Sequence, residues 1–145
     1  YSQMWEIFPA GISELVMRVW KDYQPAKIFL TENGICVPDG TDYDGKIRDN
    51  RRIQYLQDHL VALHSVLEAG VPLMGYLVWT LMDNFEWALG YDKRFGLVHV
   101  DFTSLRRTIK NSGYWFSQVV KNGGFTPRAY FSEYQDSQET IKSIA

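Results

Sequence analysis

The chain has 145 residues, 46% hydrophobic and 22% charged, with a formal net charge of −2. That length suits a single domain, and that balance excludes a disordered or fibrous chain. The small negative charge gives no electrostatic case for nucleic acid or an anionic membrane, and no run of about 18 apolar residues could span a bilayer.

The chain opens YSQMWEIF, with neither an initiator methionine nor a basic-then-apolar leader, and this reads as a cut end. Residues 12–23, ISELVMRVWKDY, place Ile12, Leu15, Val16, Val19 and Trp20 at helical spacing. Pro9 and Gly11 stand ahead of this predicted helix and Pro25 behind it. KIFL, residues 27–30, is short and apolar without alternation, the pattern of a strand buried on both faces. It runs into Thr31-Glu32-Asn33-Gly34, where Asn-Gly predicts a tight turn. The single cysteine, Cys36, allows no internal disulfide and fits a reducing, cytoplasmic compartment. Residues 36–50 are rich in Asp, Gly and Pro and predict a surface loop.

Ile53, Leu56, Leu60, Leu63 and Leu67 then recur at steps of three and four, predicting an amphipathic helix stopped at Gly70. On it His59 and His64 are five apart and face different ways, which argues against a metal site. PLMGYLVWTLMD, residues 72–83, reads as a second buried strand, and a third helix is predicted from about Leu105 to Asn122, closed by Gly123 and Gly124. The polar tail from Arg128 to Ala145 suggests one short helix capped by Asp136 and Glu139.

Helix and strand alternate, which predicts a parallel α/β sheet. Two strands apolar on both faces cannot cover themselves or satisfy their edges. A complete eight-stranded α/β barrel takes at least about 200 residues, so the chain is expected to be the last part of a larger one. In such a barrel the active groups sit at the carboxyl ends of the strands, where Glu32 falls after the first strand and Asp83 and Glu86 after the second. A carboxylate is a poor packing group, so Glu32 is either a chemical group or an ion-paired structural one. Residues 79–96, WTLMDNFEWALGYDKRFG, interleave acids with indoles. Such a mixture suits a polyhydroxylated ligand, carboxylates accepting from hydroxyls while aromatic faces cover the sugar ring, or else it plugs a barrel end.

TENG at 31–34 and WTLMDNFEW with GYDKRFGLVHVDF from residue 79 onward resemble the family 1 β-glycosidases, the retaining β-glucosidases and their relatives. MWEIFPAG at 4–11, DNRRIQYLQDHL at 49–60 and RTIKNSGYWF at 107–116 resemble the same family in the same order. The resemblance covers about residues 4–127, only the C-terminal third of a family member. It implies an α/β fold, the C-terminal portion of a (β/α)8 TIM barrel with its last two strands and their helices, over 1–127, followed by a tail over 128–145. By that resemblance Glu32 is the catalytic nucleophile. Glu86 binds the 4- and 6-hydroxyls of the sugar, Trp87 the 3- and 4-hydroxyls, Trp79 forms the platform beneath it and Phe95 lines the pocket. Relatives acting on 6-phosphosugars usually carry a small hydroxyl residue at the Glu86 position, so Glu86 points to unphosphorylated β-glucosides or cellobiose-like substrates.

Retaining hydrolysis needs a second carboxyl, which this family takes from an Asn-Glu-Pro segment that the chain lacks. The acid/base is therefore expected from the N-terminal part of the barrel, in the same or another chain, and this chain alone should be nearly inactive. A Glu32–Glu86 pair is the weaker alternative. Neither metal nor nucleotide cofactor is implied. Two non-catalytic readings stand beside the enzymatic one: a sugar-binding module using Trp79, Glu86 and Trp87, and an association fragment whose strand edges pair with a partner. Asp49, Arg51 and Arg52 read as caps and ion pairs, and Asp83 with Arg94 as supports for the Glu86 loop.

Overall fold

In the computed structural model, residues 5–39 and 42–128 are described. Helix α1 spans Pro9–Tyr23, so Pro9 and Gly11 lie within its first turns rather than ahead of it. Proline suits that place, since its missing N–H would have had no partner there and its φ is already helical. Val16 is buried, with Ile12, Met17 and Trp20 beside it. Leu15, expected on the same stripe, is exposed, because one residue turns the helix by about 100°. Gln24 ends the helix in a left-handed conformation, φ 46°, its N–H donating to Trp20 O at 2.9 Å.

Strand β1, Ile28–Asn33, pairs in parallel with β2, Leu73–Val78. Helix α2, Asn50–Glu68, connects them, and Gly70 turns the chain at φ 82°. Ile28, Leu30 and Leu73 pack with Leu63, Val66 and Val71 beneath α1 and α2. The opposite face carries Phe29, Met74 and Leu77, all more than half exposed. The strands expected to be buried on both faces are thus covered on one, because α1 and α2 lie on the same side. Leu67, at the end of the α2 stripe, is also exposed. His59 is buried and His64 exposed, as their spacing predicts. Among the described residues no cluster of metal-ligating side chains occurs, and no helix is long and apolar enough to cross a membrane.

A second core gathers Ile35, Val37, Tyr55, Leu56 and Leu97. The predicted surface loop is therefore only partly one. Cys36, Val37, Ile47 and Asp49 are buried, and the outer turn around Tyr43 is exposed. The third helix is shorter than predicted: α3 spans Asn111–Asn122, and a hairpin of β3, Val98–Val100, and β4, Arg107–Ile109, precedes it. The Asp101 carboxylate accepts from the N–H groups of Thr103 (2.9 Å) and Ser104 (3.1 Å), and Leu105 takes φ 59°, so the chain reverses where the helix was expected. Gly123 closes α3 at φ 67°. The suggested helix around Asp136 and Glu139, and the tail beyond Arg128, lie outside the described residues.

Candidate active site

Glu32 belongs to the last turn of the pleat in β1 rather than to a turn after it. It is exposed, and the ion pairs among the described residues lie elsewhere. Next door, Asn33 stands opposite Val78, and Trp79 N donates to Asn33 O at 2.9 Å. Trp79, half-buried, therefore begins beside Glu32 at the end of the neighbouring strand. Gly34 does not make the predicted tight turn; it has no positive φ. It is small because a Cβ there would lie 1.7 Å from Trp79 O. Gly34→Ala should cost about 1–3 kcal/mol or more by overpacking. Unfolding temperature and Trp fluorescence would check this, the second by reporting displacement of Trp79.

Beyond Trp79 the chain runs along residues 95–98, with Leu97 N donating to Thr80 O (2.9 Å) and Asp83 N to Val98 O (3.0 Å). Glu86 then opens a tight loop, its N–H donating to Gly90 O at 2.7 Å, with a short 3-10 turn over Trp87–Leu89. Glu86 Oε1 is buried and has no hydrogen-bond partner among the described residues. A buried carboxylate oxygen in that state is expensive unless something external donates to it. Trp87 holds φ 49°, uncommon for a bulky residue, and the residue is 82% exposed. Phe95 is buried and stacks on Trp5, ring centroids 5.7 Å apart.

Six charged side chains support these loops from below. Arg52 forks onto both oxygens of Asp39 at 3.1 Å and also bonds Asp49. Lys110 bridges Asp39 to Asp83 (2.9 Å to the latter), and Arg94 donates to Asp83 Oδ2 at 2.7 Å. Asp83 also accepts from Gly96 N at 2.9 Å and Val100 N at 3.3 Å. Three carboxylates meet three cations, and only Arg94 keeps appreciable exposure. Burial pushes the Asp83 carboxyl up, but Lys110 and Arg94 outweigh it and hold it below the usual range. Burial, joined by repulsion from Arg52, draws the Lys110 ammonium down. Burial also lowers His99, which lies beside Arg94.

The cluster ties together the loop after β1, the start of α2, the loop after β2 and the start of α3. Asp83 and Arg94 thus do brace the Glu86 loop. Asp49 caps not its own helix but α3, accepting from Ser112 N at 2.8 Å. Asp39 lies outside the sequence blocks that carry the family resemblance and Lys110 within RTIKNSGYWF, but no local sequence signal pairs them. A groove of about 560 Å³ between α1 and α2, lined by Ser13, Met17 and Ser65 among others, holds none of the site residues. A smaller one, about 280 Å³, runs along Thr80–Asn84.

The parallel strand pair presents a carboxylate, an indole and a second acidic loop at its carboxyl ends, where α/β barrels carry their active sites. Residues 1–125 match the profile of Glycosyl hydrolase family 1, and the chain belongs to that family. It is 48% identical over 120 residues to "Beta-glucosidase A" of Thermotoga maritima and 50% identical over 121 residues to "Beta-glucosidase A" of Acetivibrio thermocellus, in each case 83% of this chain and 27% of the relative. The solved "Family 1 b-glucosidase from Thermotoga maritima" superposes with a TM-score of 0.86 at 46% identity, over 87% of this chain and 29% of that one. The chain therefore spans a little over a quarter of the relatives it matches.

Proposed function

We propose that the chain is the nucleophile-bearing C-terminal portion of the (β/α)8 barrel of a retaining β-glucosidase, which releases terminal non-reducing β-D-glucosyl residues. A Glu32 carboxylate oxygen attacks the anomeric carbon while the bond to the aglycone oxygen breaks. The proton for that oxygen comes from an acid outside these 145 residues, on the remaining part of the barrel, in the same or another chain. Water, giving its proton back to that same group, then displaces Glu32 and restores the original configuration. The observation that carries this reading is Glu32 itself, exposed at the carboxyl end of β1 and outside the ion pairs formed among the described residues. The unpaired oxygen of Glu86 supports its role as acceptor for two neighbouring sugar hydroxyls. Trp79 supplies the platform beneath the ring, Trp87 reaches its 3- and 4-hydroxyls, and Phe95 lines the pocket.

The test is intact mass after incubation of the complete protein with a 2-deoxy-2-fluoro-β-glucoside bearing a good leaving group. One added fluoroglucosyl unit, mapped to Glu32, is expected; an unlabelled but folded sample would refute the reading. Glu86→Gln removes two charge-assisted hydrogen bonds, about 3 kcal/mol in all, and should lower kcat/KM on the order of 10²-fold. The matching 6-phosphoglucoside, which the Glu86 carboxylate repels, should gain relative to the parent.

A further inference from the structure

Strict alternation along β1 would put Glu32 on the same face as Ile28 and Leu30. Those two pack into the core beneath α1 and α2. Glu32 is exposed instead, together with Phe29 and Thr31. The register explains why. Leu30 lies opposite Tyr76 and Asn33 opposite Val78, so three steps along β1 match two along β2. The strand has taken up an extra residue at Thr31–Glu32, and such a bulge redirects the side chains around it. Asn33 thereby falls on the helix side, and Glu32 is turned to the open face.

The bulge is fastened at Asn33. The Tyr76 hydroxyl, from β2, donates to Asn33 Oδ1 at 2.8 Å. Asn33 Nδ2 donates to the Tyr55 hydroxyl, from α2, at 3.0 Å. Trp79 N holds the Asn33 carbonyl from the third side. Phenylalanine would fill the two tyrosine positions equally well as packing; both hydroxyls are instead spent on the residue next to Glu32. We infer that Asn33, Tyr55 and Tyr76 are positioning residues: their hydroxyl–amide–hydroxyl chain holds the bulge, and the bulge aims Glu32 at the sugar. The inference rests on the proposed role of Glu32 as nucleophile.

The test compares the complete protein with Asn33→Ala and with the Tyr55→Phe/Tyr76→Phe double variant, using the same fluoroglucoside. The concentration dependence of labelling separates the maximal rate of the covalent step from affinity. A misplacement of about 1 Å can cost about 10²-fold, so the maximal rate should fall about 10- to 100-fold while affinity moves less than about threefold. Unchanged labelling in variants that unfold at a lower temperature would overturn the inference, leaving the three residues merely structural. A parent that takes no label at Glu32 would sink the nucleophile assignment instead. The aiming device would then be judged by a crystal structure of the double variant. Glu32 turned to the helix face would support it, and an unaltered bulge would overturn it.

Discussion

Glu32→Gly will abolish turnover of aryl β-glucosides, with a loss on the order of 10⁴-fold or more, as removal of a covalent nucleophile does elsewhere. The substitution removes an exposed side chain that belongs to no ion pair among the described residues, so folding should be little disturbed. It also leaves room for an external nucleophile where the carboxylate stood. Added azide should then restore consumption of a substrate with an activated leaving group. The product should be the α-glucosyl azide, because a single displacement inverts the anomeric centre that two displacements would retain. NMR of the product decides the matter. Azide rescue with β product, or residual hydrolysis within tenfold of the parent, would be incompatible with Glu32 as nucleophile.

The largest effect on stability is expected at Lys110. Its ammonium is fully enclosed between Asp39 and Asp83. Lys110→Met removes one cation from a balanced set of six and leaves a surplus buried carboxylate, which typically costs about 3–5 kcal/mol. Burial, with the nearby Arg52 charge, weakens the hold on this proton, so the intact bridge is a poor source of net stability; its loss is harmful through what it leaves behind. Asp39→Asn added to Lys110→Met restores the balance and should recover a substantial part of the loss. Denaturant unfolding of the four proteins closes the cycle. Strict additivity of the two single losses would show that the cluster does not act as a unit.

Much of this was legible in the sequence where the signal is local. The alternation of helices and strands, the Gly70 and Gly123 stops and the placing of Glu86 beyond the second strand follow from periodicity and short motifs, whereas Glu32, expected after the first strand, lies within its last residues. The hairpin at Val98–Ile109 escaped because its decisive features are one side chain's bonds to Thr103 and Ser104 and a left-handed Leu105, neither of which leaves a periodic trace. Asp39 and Lys110 escaped because their partnership spans 71 positions and exists only after the loops after β1 and β2 have met α3. The turn expected at Gly34 was misread for a related reason. Glycine there answers to a carbonyl 45 residues away, and composition cannot separate that need from a bend.

The charged cluster also limits how this stretch of chain could be divided. A break anywhere between Arg52 and Asp83 would send Asp39, Asp49 and Arg52 with one piece and Asp83, Arg94 and Lys110 with the other. The first piece would hold two acids against one base, the second the reverse. Each would carry an unneutralised charge that it must either hydrate, by opening its interior, or cancel on the other piece. Split versions cut in α2 or β2 should therefore reassemble as obligate pairs, whereas a break before Asp39 leaves the whole balanced set on one side.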